Sequence, residues 1–174
     1  TQDITVNVTN VNDIAPVFTS EATFSAAENQ TAIGTVTAID AEGDDVTFTV
    51  TGDELAITPS GVLTFISDPD FETKATYTAT VTASDGTNST TQDITVNITD
   101  VNEAPTFTSN ATFSVAENQT AIGTVAATDV DGDTITYSIS GADITINSSS
   151  GVIAFASAPD YETKSSYSAT ITAN

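Results

Sequence analysis

The chain has no cysteine, histidine, tryptophan or methionine, and its only two basic residues, Lys74 and Lys164, face 24 acidic ones. Each absence removes a class of chemistry. Without Cys and His there are no disulfides, no Ser–His or Cys–His nucleophile pair, and none of the usual zinc or iron–sulfur ligands. Two lysines cannot neutralise a run of phosphates, so nucleic acid is excluded as a partner of the usual kind. The net charge of −22 argues equally against an anionic membrane surface. No apolar run approaches the length that spans a bilayer, so no membrane insertion is expected. What is plentiful is Thr, Val, Ile and carboxylate. Oxygen donors without nitrogen or sulfur suit hard cations, calcium above all. Such acidity also raises the question of disorder. Charged residues are only 15% of the chain and hydrophobic ones 39%, and the apolar residues are patterned.

The chain is written twice. AENQTAIGTV occurs at 27–36 and 116–125, TQDITVN at 1–7 and 91–97, and PDFETK at 69–74 returns as PDYETK at 159–164. The period of about 90 residues is domain-sized, so the reading is tandem domains and not a solenoid. Four glycines of the first copy, Gly34, Gly43, Gly52 and Gly61, recur as Gly123, Gly132, Gly141 and Gly151, which suggests backbone that needs positive φ or close approach.

Within each copy the apolar residues alternate with period two, the signature of strands with one buried face. Val46, Phe48 and Val50 do so, as do Tyr77, Ala79, Val81 and Ala83, and Ile94, Val96 and Ile98. The second copy repeats the pattern with Ile135, Tyr137, Ile139 and with Tyr167, Ala169, Ile171. Seven strands are predicted for the first copy, at 20–26, 32–39, 45–51, 54–58, 62–66, 76–84 and 91–99. Seven short strands in about 90 residues point to an all-β fold, a two-sheet Greek-key sandwich of immunoglobulin-like type. The expected core is Phe24, Val36, Phe48, Leu63, Phe65, Tyr77, Val81 and Val96.

Successive loops of such a sandwich alternate between its two poles. Parity then collects Glu28, Asp70, Glu72, Asp100, Glu103, Asp129 and Asp131 at the junction between the copies. Like charges this close repel by about 1 kcal/mol per pair at 4 Å even in bulk water. Either they splay apart or cations hold them, and calcium takes six to eight such oxygens. A solvated acidic surface is the plainer alternative. An EF-hand reading of Asp129-Val130-Asp131-Gly132-Asp133 fails, because Ser140 stands where the closing Glu is needed and no helices flank it.

The ordered set of motifs resembles a cadherin repeat, twice over: AEN, then D-x-E or D-x-D, then D-[FY]-E, then A-x-D, then the linker Asp100-Val101-Asn102-Glu103-Ala104-Pro105. The resemblance implies an immunoglobulin-like sandwich with calcium at each linker, stiffening a rod. It implies Glu28, Asp70 and Glu72 as ligands from the upper repeat, and Asp100, Asn102, Glu103 and the carbonyl of Ala104 as linker ligands. Asp129 and Asp131 would be ligands from the lower repeat. The D-G-D spelling, scarce Lys and rich Thr look more like extender repeats of giant bacterial surface adhesins than animal cadherins. Two departures stand out. Glu42 replaces the second Asp of D-x-D in the first copy. The upper linker, Asn10-Val11-Asn12-Asp13-Ile14-Ala15-Pro16, is one residue longer than the lower and begins with Asn10 in place of Asp100. Asp44 and Asp133 are read as secondary ligands or as turn residues.

These readings divide the chain into 1–13, the last strand and linker of a preceding repeat, 14–103, the first repeat, and 104–174, a second repeat without its last strand. Asn174 aligns with Ser84, so the second copy has no counterpart of 91–99, while residues 1–10 are that strand without a sheet. An open sheet edge invites strand addition. Residues 1–10 of one chain are therefore expected to complete the second copy of the next, head to tail in a filament, unless the neighbouring repeats of a longer array supply the same packing. The second junction would set Glu117, Asp160 and Glu162 against Asn12, Asp13, Asp40, Glu42 and Asp85. The function expected is a calcium-rigidified spacer in a secreted or cell-surface adhesin, not an enzyme. A carbohydrate-binding or homophilic module ranks second.

Overall fold

A computed structural model describes residues 1–174, and every regular element in it is a β-strand. No helix is long and apolar enough to cross a membrane. The structure divides into two compact units, Thr1–Val101 and Asn102–Asn174.

The first unit is a two-sheet sandwich. Its strands are β1 (Val17–Phe18), β2 (Thr23–Ala27), β3 (Ala32–Thr35), β4 (Ala38–Ile39), β5 (Thr47–Val50), β6 (Leu55–Ile57), β7 (Val62–Phe65), β8 (Thr76–Ser84) and β9 (Ser89–Thr99). One sheet has the order β2-β9-β8-β5 and a second the order β3-β7-β6, with β1 and β4 forming a separate pair. The predicted strand 20–26 corresponds to β2, and a separate short strand, β1, lies ahead of it. β1 pairs antiparallel with β4, whereas β2 pairs parallel with β9. The change of partner falls at Ser20–Ala22: Ser20 N–H still donates to Thr37 O, and two residues later Ala22 O accepts from Thr95 N–H. Period two alone does not reveal this, because the alternation continues through the crossover.

The longest strands, β8 and β9, hold the core together. Val81, Ala83, Ile94 and Val96 are at most 1% exposed, and Val36, Leu63 and Phe65 face them from the other side. Burying each large aliphatic side chain stabilises by about 1.5–3 kcal/mol. Phe65 and Tyr77 meet edge to face with ring centroids 5.0 Å apart. Gly61 has φ of 89°, and a Cβ there would collide with the Val36 carbonyl oxygen; Gly151 repeats this against Val125. Gly34 and Gly123 serve instead as flat seats for Phe24 and Phe113.

The second unit contains β10 (Thr106–Phe107), β11 (Ala121–Thr124), β12 (Ala127–Thr128), β13 (Tyr137–Ser140), β14 (Ile144–Ile146), β15 (Val152–Phe155) and β16 (Thr170–Ala173). Registers match the first unit: β11-β15-β14 repeats β3-β7-β6, and β13-β16 repeats β5-β8. Two things differ. β16 is four residues long where β8 is nine. Residues 112–116, the counterpart of β2, are not a strand. Both segments would have paired with a counterpart of β9. In its place lies a cavity of about 780 Å³ lined by Phe113, Ile122, Ile139, Ile153, Phe155 and Ile171, among others. Residues 1–10 carry no strand in this structure, and Ile4, Val6 and Val8 are 79%, 78% and 93% exposed.

Candidate metal centres

Glu28 follows β2 directly, in a turn where Asn29 adopts a left-handed φ of 59°. The turn folds the carboxylate inward. Its Oε2 accepts Phe71 N–H at 2.9 Å and its Oε1 accepts Val101 N–H at 2.8 Å, and the residue is only 3% exposed. A buried carboxylate is tolerated when its oxygens are hydrogen-bonded. Glu72 and Asp100 join it, with one carboxylate oxygen of each within 4.8 Å of the others. Lys74 bonds Glu54 at 2.5 and 2.7 Å and lies 4.4 Å over the Tyr77 ring; Lys164 bonds Asp143 at 2.5 Å and lies 4.3 Å over Tyr167. Asp70 is not part of this trio; its carboxylate accepts both the amide and the hydroxyl of Thr73 at 3.0 and 2.9 Å.

A second trio in the same unit is Asp40, Glu42 and Asp44. Asp40 Oδ1 accepts Glu42 N–H at 2.8 Å, while Asp40 Oδ2 is buried with no hydrogen-bond partner. Glu42 Oε2 accepts two amides, Asp13 N–H and Ile14 N–H, each at 2.9 Å. The two departures noted in the sequence therefore answer each other. The longer linker and the longer side chain meet, where in the second unit the shorter Asp131 accepts Glu103 N–H at 2.8 Å. Partial desolvation, then the Asp40, Glu42, Asp85 and Asp45 charges, push the Asp44 carboxyl above its ordinary value. Asp85 behaves oppositely. Desolvation works to raise it, but the Asn88 and Thr87 amides at 2.6 and 2.7 Å outweigh that and hold it low. Asn88 also donates to Asn12 Oδ1 at 2.8 Å, tying the upper linker to the Asp85 loop.

In the second unit, Asp129 Oδ1 accepts Asp131 N–H at 3.1 Å, and Asp131 Oδ1 is buried with no hydrogen-bond partner. Asn102 donates its side-chain amide to the Glu103 carbonyl at 2.7 Å, and Ala104 beside it is exposed. Glu117, Asp160 and Glu162 form a further trio. All three are exposed. Glu117 Oε2 accepts Tyr161 N–H at 3.1 Å, the counterpart of the Phe71–Glu28 bond. The Thr163 hydroxyl, 3.0 Å from Asp160 Oδ2, holds the Asp160 carboxyl below its usual range.

The donor set in each trio is oxygen only, and the orphaned buried oxygens of Asp40 and Asp131 are groups a hard cation satisfies. These residues fit calcium. Glu54 and Asp143, which hold the two lysines, are not among the site residues expected from the sequence. Both recur at the same point of the repeat ahead of the E-T-K lysine, and that spacing is the signal that would have found them. The backbone donors to Glu28 and Glu42 carry no side-chain signature at all.

A family model described as Bacterial Ig domain matches residues 12–99, just over half of the chain. Among curated proteins, mouse Cadherin EGF LAG seven-pass G-type receptor 1 is 32% identical over 98% of this chain, and chicken Cadherin-7 is 30% identical over 99%. The chain spans only 6% and 27% of those proteins. Among solved structures, human protocadherin-24 EC1-2 superimposes with a TM-score of 0.65 at 22% identity, covering 93% of this chain and 94% of that one. Mouse cadherin-23 EC22-24 gives 0.60 at 23%, covering 92% and 60%. At that identity the structural likeness establishes the fold.

Proposed function

We propose, for a chain that belongs to the bacterial Ig-domain family and is built of cadherin-like repeats, that its two units are calcium-rigidified spacers of a secreted or cell-surface adhesin. The observation that carries this is the Glu28–Glu72–Asp100 trio, three carboxylates drawn together with one of them buried. Asp70, Asn102, Glu103, the Ala104 carbonyl, Asp129 and Asp131 complete the proposed ligand set at the linker. Glu117, Asp160 and Glu162 belong to a further set whose other members are of the type of Asn12, Asp13, Asp40, Glu42 and Asp85. Calcium binds the ordered linker and not the flexible one, so it stabilises the ordered form by mass action. The open edge of the second unit is closed by a strand from a neighbouring repeat or an identical chain. The role is mechanical and non-catalytic.

Small-angle scattering with calcium and with chelator tests the reading: calcium should narrow the distribution of interdomain distances. An envelope unchanged by chelator would show that ions do not stiffen the linker. Asp131→Ala should weaken calorimetric calcium binding. A binding module for carbohydrate or a homophilic partner ranks second. Its one supporting observation is Tyr161, 65% exposed, but the counterpart Phe71 packs on the first core.

A further inference from the structure

The linker segment 12–16 is fastened to the first unit by protein groups alone. Pro16 is fully buried. The Asp13 and Ile14 amides both donate to Glu42 Oε2, each at 2.9 Å. Asn12 Oδ1 accepts the Asn88 side-chain amide at 2.8 Å. We propose that these contacts are a latch that keeps residues 12–16 docked on the first unit without any ion. Calcium at Asp40, Glu42 and Asp44 then meets a linker already in place. The docking stands on the contacts themselves; its consequence for calcium rests on the reading put forward above.

Both arms of the latch are braced from behind. Glu42 sits in a turn where Gly43 N–H donates to Asp40 O at 3.3 Å and Asp40 Oδ1 accepts Glu42 N–H at 2.8 Å. The turn fixes the Glu42 backbone independently of the linker. Its carboxylate then holds two adjacent amides through one oxygen, and hydrogen bonds to an ionised acceptor are the stronger kind. Asn88 sits in the turn after β8. Asp85 N–H donates to Asn88 O at 3.2 Å, and Asp85 Oδ1 accepts the Thr87 and Asn88 amides at 2.7 and 2.6 Å. From that turn the Asn88 side chain reaches the linker, with Asn12 O at 3.4 Å as a second, longer contact.

The length of the side chain at position 42 decides the strength of the latch. In the second unit the matching residue is the shorter Asp131, which accepts one linker amide, Glu103 N–H at 2.8 Å. Glu42 accepts two. A segment ordered beforehand spares a ligand the entropy of ordering it on binding. Calcium binding at the first unit is therefore uncoupled from the docking of residues 12–16.

Amide exchange followed by NMR on the full-length chain in chelator tests this. We expect the Asp13 and Ile14 amides to exchange about tenfold or more slowly than in an unstructured peptide, the protection a hydrogen bond to a charged acceptor supplies. The protection should be the same when calcium replaces chelator. Glu42→Ala should remove it at both positions together, while core amides of β8 and β9 stay protected and show that the variant is folded. Glu42→Asp, too short to hold both amides, should lose it at one or both and reads the same contact if Glu42→Ala does not fold. Protection that appears only with calcium would overturn the latch and leave the calcium reading standing. Protection in chelator that survives both variants would also overturn it. Protection lost with Glu42, in a chain whose scattering calcium does not change, would sink the calcium reading and uphold the latch.

Discussion

Residues 1–7 and 91–97 are the same heptapeptide in two environments. At 91–97 it is the middle of a four-stranded sheet, with Ile94 and Val96 sealed from solvent. At 1–7 Ile4 and Val6 are more than three-quarters exposed, and no sheet holds them. The two units differ in the same way. With β9 present, β2 and a nine-residue β8 form on either side of it. Without a counterpart, residues 112–116 stay irregular and β16 shortens to four residues. Local preference is equal in the two copies, so the difference teaches that these strands are made by pairing and burial across the sheet, with propensity a minor term.

The comparison can be broken most severely at the shared valine. Val96→Asp places a carboxylate at a fully buried site and should cost more than about 4 kcal/mol, abolishing the first unit's melt. Val6→Asp should leave the isolated chain's stability within about 0.5 kcal/mol, because the site is exposed. Equal effects would mean residues 1–10 are already packed. Next in size, Leu63→Ala should destabilise the first unit by about 2–5 kcal/mol. The counterpart Ile153→Ala should cost visibly less, since Ile153 already borders the open cavity. Segment-resolved amide exchange separates the two units, and equal losses would argue that the groove is collapsed in solution.

Calcium sharpens the contrast further. At a hundredfold excess over Kd, binding to a native site should add about 2.7 kcal/mol of stability. Glu28→Ala should abolish more of that gain than Glu117→Ala, because Glu28 is buried and held by two amides. A calorimetric titration of both variants checks the ranking, and reversal of it would place the stronger site in the second unit. The smallest effect is expected at the D-x-E departure. Glu42→Asp shortens the side chain away from the Asp13 and Ile14 amides and should cost about 0.5–1.5 kcal/mol per lost hydrogen bond. Asp44→Asn, removing one of several crowded charges, should raise the melting temperature without calcium and lower it in calcium.

Much of this was legible beforehand. Of the eight expected core residues, Val36, Phe48, Leu63, Phe65, Val81 and Val96 are buried, while Phe24 and Tyr77 are partly buried against them. The trio Glu28, Glu72 and Asp100 was readable from loop parity, since residues at strand ends on one pole must meet. Asp70 was grouped with them by the same rule; it lies outside the trio, with its carboxylate accepting from Thr73. Parity places a residue at a pole and says nothing about which way its side chain turns. The change of partner between β1 and β2 was not legible either, because the alternation runs through both in phase.

By itself the sequence determined the period, the all-β architecture, the core face of most strands and the excess of carboxylate over cation, because periodicity, repetition and charge are local and countable. Only the tertiary structure decided which oxygens point inward and which are tied to backbone amides. It also decided that a longer Glu42 reaches across a longer linker, and that one heptapeptide is a core strand in one place and exposed in another. Those outcomes depend on what lies across the sheet, and pairing partners distant in sequence are what the local pattern cannot contain.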